Sequence, residues 1–233
     1  SSMGVSIANI ALPALAQAFA APFPEVQWVV LAYLLAVTTM VVSAGRLGDM
    51  LGHRRILLAG LAIFMAASLL CSLAPALWVL IAARALQGIA AAILMALTVA
   101  LVRGTVPEER TGSAMGLLGT MSAVGTAIGP SLGGILIAGF GWRAIFLVML
   151  PMAVLALILA WRHLPAGTGG HPVKAGWTRF DGLGTALLGM TLAAYALGMT
   201  TGSGAFDRFH LAMLLTAALG LALFLRHESN AHA

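Results

Sequence analysis

The chain has 233 residues, of which 61% are hydrophobic and 8% charged, against about 25% charged in a soluble globular domain. That balance excludes a soluble domain and describes a polytopic membrane protein. The formal net charge is +5, but the basic residues sit in short separate loops between apolar spans, a pattern that sets membrane topology and not a nucleic-acid stripe.

A helix needs about 20 apolar residues to cross a bilayer. Eight such spans are predicted, over about 1–20, 26–44, 56–74, 77–102, 113–139, 143–161, 182–203 and 209–225. The first opens directly on Ser1-Ser2-Met3 without a basic leader, and the chain stops at Ala233 soon after the last. Neither end reads as a natural terminus. Ala18-Phe19-Ala20 resembles a signal-peptidase site, but the basic n-region is absent and Pro13 interrupts the would-be apolar core, so cleavage is not expected. Pro22, Pro24, Pro75, Pro107 and the stretch from Pro165 to Pro172 fall between spans, where proline suits a turn. The last span is short, and Arg226 behind it can snorkel.

Between the second and third spans lies Gly45-Arg46-Leu47-Gly48-Asp49-Met50-Leu51-Gly52-His53-Arg54-Arg55. It reads as a tight charged loop. Gly45 and Gly52 let the backbone turn and pack closely, and Asp49 is able to accept hydrogen bonds from a helix N-terminus. In the third span Cys71 stands alone, a buried small hydrophobe and not a disulfide partner.

In the fourth span, Arg84 is the only charged side chain well inside any apolar run. An unpaired charge at that depth costs about 2.5 kcal/mol or more, so Arg84 faces a polar cavity or a partner, or snorkels toward the outer interface near Trp78. Gln87, one turn on, shares its face. In the fifth span Gly125, Gly129 and Gly133 recur every four residues and form a smooth groove. Pro130 removes the amide that would bond the Thr126 carbonyl and bends the helix there. Taken alone, the glycines also fit a packing seam without transport meaning. The connection at 162–180, with Gly167, Gly169, Gly170, Pro172 and Lys174, reads as a linker separating six helices from a further pair. The expected divisions are therefore 1–161, 162–180, 181–226 and a tail at 227–233.

With the N-terminus cytoplasmic, Arg46, Arg54, Arg55, Arg103, Arg110, Arg162, Lys174, Arg179 and Arg226 all face the cytoplasm, and only Arg143 and Arg208 lie outside. Trp28, Trp78 and Trp142 then mark the outer interface, and Trp161 and Trp177 the inner side. No acid, lysine or histidine occupies the middle of a span. Asp181 and Asp207 fall at helix ends, and His163, His171, His227 and His232 in the linker and tail. Walker, HExxH and CxxC patterns are absent, which argues against ATP hydrolysis, zinc proteolysis, thiol redox chemistry and enzymatic function generally.

Three ordered stretches resemble the major facilitator superfamily. Gly45, Leu47, Asp49, Gly52 and Arg54, with Arg55 following, are similar to motif A, although Met50 and His53 replace basic residues. Arg84-Ala85-Leu86-Gln87-Gly88 resembles motif B, and Gly125-Thr126-Ala127-Ile128-Gly129-Pro130-Ser131-Leu132-Gly133-Gly134 resembles motif C, the antiporter signature. Asn9-Ile10-Ala11-Leu12-Pro13, Gln27-Trp28-Val29-Val30 with Tyr33-Leu34-Leu35, Gly141-Trp142-Arg143 and Phe180-Asp181-Gly182-Leu183-Gly184 resemble the fourteen-helix drug:proton antiporters of the EmrB/QacA type.

The resemblance implies an all-α membrane fold, an N-terminal six-helix bundle plus two additional helices in the plasma membrane. It implies proton-coupled efflux of lipophilic or cationic drugs by alternating access, with no cofactor beyond the proton gradient. A three-plus-three inverted repeat within the bundle follows from the fold alone. Motif A becomes a conformational gate, with Asp49 facing a helix of a missing C-terminal six-helix half and lacking that partner here. Arg84, Gln87 and Gly88 serve proton coupling or the cavity. By their polarity, Asn9, Gln17, Gln27 and Tyr33 line a substrate path or make helix–helix contacts. The partners are the lipid bilayer and a small-molecule substrate, with no metal and no nucleic acid. Gly4 stands where the family carries an acid in its first helix, which moves the proton site elsewhere. This portion is not expected to transport by itself. Another solute, such as a metabolite or siderophore, remains an alternative, as does a multi-helix membrane enzyme or scaffold.

Overall fold

The computed structural model describes residues 2–164, 182–200, 212–213, 215–220 and 222. Eight helices carry the described chain: α1 (Ser2–Phe19), α2 (Phe23–Leu51), α3 (His53–Leu73), α4 (Leu77–Thr105), α5 (Glu108–Phe140), α6 (Ala144–Leu147), α7 (Met149–His163) and α8 (Gly182–Thr200). Among the described residues there is no strand. The described residues between 212 and 222 are also helical, within the eighth expected span. Most of the expected linker, the tail at 227–233, Asp181, Asp207, His171, His227 and His232 lie outside the described residues.

The apolar runs become helices, but their ends move. α2 has 29 residues, about 43 Å of helix, longer than the roughly 30 Å hydrocarbon layer. Arg46 and Asp49 are therefore helical, and the expected loop at 45–55 is corrected to a single break at Gly52. A charge signals the edge of the hydrocarbon, and a helix need not stop there. Pro22 caps α2 and Pro24 lies in its first turn, where the missing amide has no intrahelical acceptor. Pro107 caps α5 in the same way. The sixth expected span divides into α6 and α7 at Val148, which keeps helical torsions. Pro151 has no amide for the Leu147 carbonyl, so the hydrogen-bond ladder is interrupted without a turn in the chain.

Among the described residues, five stretches are long and apolar enough to cross a membrane: α2, α3, α4, α5 and the combined Ala144–His163. α1 and α8 are apolar and shorter. The principal core lies where α1, α2, α3, α4 and α6 meet, around Ile7, Leu15, Val26, Val29, Leu80, Ala90 and Ile145. In α1 the buried positions Ile7, Ala8, Ala11, Leu12 and Leu15 make one helical stripe. A second cluster, Ala44, Leu57, Leu61, Ile93 and Leu97, packs the end of the bundle near Gly52. α8 lies against α2, with Gly189 beside Thr39.

The tryptophans divide. Trp78 is 73% exposed, as an interfacial residue should be, whereas Trp142 is only 8% exposed. Trp142 packs between Phe19 at 5.3 Å and Phe146 at 6.4 Å, and Arg143 lies 4.4 Å over its ring. Its place in an outer aromatic belt is corrected: it is a packing residue that joins α1 to α6.

Candidate functional site

The buried centre of the bundle is organised by Arg84. Its side chain is 1% exposed, so it neither snorkels toward Trp78 nor opens to solvent. The Nε donates to the Val29 carbonyl of α2 at 3.0 Å, and Nη1 donates to Gln87 Oε1 at 2.6 Å. The Gln87 amide in turn donates to Ser68 Oγ of α3 at 2.8 Å, and Ser68 donates to the Phe64 carbonyl at 2.7 Å. The guanidinium stacks 4.3 Å from the centre of the Tyr33 ring, with Phe146 at 6.0 Å. Nη2 is buried without a hydrogen-bond partner among the described residues. Three helices are thus tied by one cation through a backbone carbonyl, an amide and a hydroxyl, a planar fork that a lysine could not reproduce.

Gly88 sets the distance at which this happens. A Cβ there would fall 2.5 Å from the Tyr33 carbonyl oxygen and 2.8 Å from the Ala36 Cβ. Only a residue without a side chain lets α4 approach α2 so closely. The residues of motif B therefore act as one unit, with the glycine bringing the helix axes together and the arginine and glutamine using the proximity.

The expected path residues do not form a single lining. Tyr33 is buried beneath Arg84, Gln27 is half-buried, and Asn9 and Gln17 are exposed on the face of α1 opposite its core stripe. Tyr33 thus belongs with Arg84, and Asn9, Pro13 and Gln17 form a separate exposed row.

At the Gly52 end, the motif A residues have distinct surroundings. Gly52 has φ +93, a left-handed value that favours glycine, and its N–H closes α2 on the Gly48 carbonyl at 2.9 Å. Gly45, expected at a turn, is instead helical and half-buried near Ala96. Leu47 is half-buried and Asp49 exposed. His53 Nε2 lies 3.2 Å from Asp49 Oδ1, one turn away, so Asp49 has a local partner that the sequence reading did not assign. Arg54 Nη2 donates to the Trp161 carbonyl at 3.0 Å and ties the start of α3 to the end of α7. Arg55 is exposed. Gly48, not singled out beforehand, is buried against the Leu97 side chain.

The motif C residues bring α5 onto α1. Gly129 and Gly133 are the buried residues of α5, facing Ser6 and Ile7. Gly125 and Pro130 are half-buried, and Gly134 is exposed with open space around its α-carbon. The Ser6 hydroxyl donates to the Thr126 carbonyl at 2.9 Å. Ser6 and Ser68 escaped the sequence reading because a helical serine has no signature that names its acceptor. Among the described residues no group of His, Cys, Asp and Glu is placed to hold a metal.

Residues 1–226 match the family model described as Major Facilitator Superfamily. The chain is 36% identical over 230 residues to the multidrug resistance protein Stp of Mycobacterium tuberculosis, covering 96% of this chain and 42% of that protein. It is 33% identical over 232 residues to the drug efflux pump JefA of the same species, covering 97% of this chain and 44% of JefA. A riboflavin transporter, RibZ of Clostridioides difficile, is 38% identical over 165 residues, covering 71% of this chain and 36% of RibZ. The chain spans less than half the length of each of these relatives.

Proposed function

The chain belongs to the Major Facilitator Superfamily, and from that membership we propose that it forms the N-terminal part of a proton-coupled exporter of lipophilic small molecules in the plasma membrane. The observation that carries this reading is the buried Arg84 network, a fixed cation joining three helices in a chain that is similar along its length to a drug efflux pump.

In this reading the bundle is one wall of a central site and rocks against a second six-helix half. Arg84 holds a positive potential at the bundle centre. It does not release a proton readily, so the titrating acid belongs to another part of the transporter. Gly52 and the Arg54 bond to Trp161 hold the shape of the gate at one end of the bundle, and Asp49 and Arg55 present charge toward the opposing half. The exposed row of Asn9, Pro13 and Gln17 faces the cargo path. The excess of basic residues in the loops near Gly52 supports a cytoplasmic position for that end. No cofactor enters the cycle, since the proton gradient is the energy source.

Proteoliposomes carrying the full-length protein test the proposal directly. An imposed proton gradient should drive efflux of a lipophilic dye, and an uncoupler should stop it. Absence of uncoupler-sensitive flux for every cargo tried would overturn the reading.

A second reading, transport of an uncharged metabolite, is supported by Gly4 at the position of the family's first-helix acid and by similarity to a riboflavin transporter. Competition between neutral and cationic dyes in the same vesicles separates the two.

A further inference from the structure

A proline inside a helix leaves one carbonyl open. Each helical amide bonds the carbonyl four residues earlier, and Pro130 has no amide, so the Thr126 carbonyl loses its partner within α5. In a bilayer no bulk water replaces it. The Ser6 hydroxyl of α1, 120 residues away in sequence, donates to this carbonyl at 2.9 Å. The hydroxyl of Thr126 is engaged elsewhere, donating to the Ser122 carbonyl at 3.0 Å.

Room for the Ser6 side chain comes from Gly129. A Cβ on Gly129 would lie 2.8 Å from both the Cβ and the Oγ of Ser6. One turn further, Gly133 lies against Ile7, where a Cβ would meet the Ile7 side chain at 3.4 Å. Three residues therefore combine at one crossing: Pro130 opens the acceptor, Gly129 clears the space, and Ser6 supplies the donor. Serine inside a helix ordinarily bonds a carbonyl of its own preceding turn, and here it crosses to the neighbouring helix.

We infer that Ser6 is a positioning residue of the transporter, its hydroxyl standing in for the missing amide of residue 130 and fixing α5 against α1. Ser6 need not touch cargo to act. Away from the crossing, α1 carries the exposed Asn9 and Gln17, and α5 carries the exposed Leu117, Met121, Val124 and Ile128. The Ser6 bond sets how these two surfaces stand to one another. The functional part of this inference rests on the transporter reading, whereas the structural part does not.

A double-mutant cycle in the full-length protein tests it, using Ser6→Ala, Pro130→Ala and their combination. An alanine at 130 restores the amide that Thr126 lacks, so the Ser6 hydroxyl becomes redundant. In the Pro130 background, Ser6→Ala should lower the maximal dye flux about threefold, the scale of one interhelical hydrogen bond in a bilayer, with apparent KM unchanged. It should also lower the unfolding temperature in detergent. In the Pro130→Ala background the same substitution should change neither quantity. Equal effects in both backgrounds, or no effect in the Pro130 background, would overturn the inference. Ser6→Cys keeps the size and weakens the donor, and it follows the same pattern at smaller amplitude should an alanine variant fail to insert. If the unsubstituted protein carries no uncoupler-sensitive flux, the transporter reading fails, while the unfolding-temperature cycle still decides the role of Ser6.

Discussion

Arg84 Nε donates to the Val29 carbonyl at 3.0 Å, so this cation at the bundle centre is held by the backbone of a neighbouring helix and, among the described residues, not by an acid. A carbonyl neutralises no charge but fixes direction, and the Tyr33 face 4.3 Å away adds a cation–π attraction. Arg84→Lys keeps the charge and loses the fork, and is expected to cost about 1–3 kcal/mol in stability. Arg84→Ala should cost more and abolish flux, because Gln87 Oε1 loses its donor and a void opens beside Tyr33. Thermal unfolding in detergent and dye efflux measure both. Wild-type flux in Arg84→Ala would remove Arg84 from the transport cycle.

Gly88 and Gly134 make a paired test of helix approach. Gly88→Ala drives a Cβ to 2.5 Å from the Tyr33 carbonyl oxygen. A backbone atom cannot swing aside, so a loss of about 1–3 kcal/mol is expected. Gly134→Ala meets nothing within 4 Å and should leave the unfolding temperature unchanged or slightly raised, since alanine is the better helix former. Equal responses from the two variants would contradict the close crossing of α2 and α4.

A size exchange probes the crossing of α1 and α5. Gly129→Ala places a methyl 2.8 Å from the Cβ and Oγ of Ser6, and a destabilisation of about 1 kcal/mol or more is expected. Ser6→Gly removes the obstructing atoms together with the hydroxyl bond, so Gly129→Ala combined with Ser6→Gly should lose less stability than the two single losses added together. A double variant that is simply the sum of two losses would show that the residues do not meet.

Membrane orientation is open to chemical labelling. In a background with Cys71 replaced by serine, Arg55→Cys should react with a membrane-impermeant maleimide only after the cells are permeabilised, since Arg55 is exposed at the end assigned to the cytoplasm. Trp78→Cys, at a position 73% exposed near the opposite end, should react in intact cells. Reversed labelling would invert the topology.

At the Gly52 end, Arg54 and Arg55 are adjacent in sequence and unequal in structure. Arg54 bonds the Trp161 carbonyl at 3.0 Å, whereas Arg55 points outward. Arg54→Ala should lower the unfolding temperature by a few degrees, the effect of about 1 kcal/mol, and Arg55→Ala should leave it unchanged. The opposite ranking would show that α3 and α7 are not joined there.

Most helices were legible as apolar runs, because hydrocarbon length is a local property of the chain. Their ends were not, as the helical Arg46 and Asp49 illustrate: beyond the hydrocarbon a charge and a helix coexist. Trp142 misled for a related reason. An aromatic at a span's end suits an interface, yet Phe19 and Phe146 enclose it. Motif B was legible as residues but not as geometry, and Tyr33, grouped with Asn9 and Gln17 by polarity alone, belongs beneath Arg84.

The sequence by itself determined that this is a membrane-spanning helical chain with the motifs of its family, and that Pro130 must leave the Thr126 carbonyl open. Only the tertiary structure decided which donor closes it, and that Arg84 turns inward to Val29 and Gln87. The reason is physical. Hydropathy and a missing amide are written in residue types, whereas backbone carbonyls are alike at every position, and which one is met depends on where two helices cross.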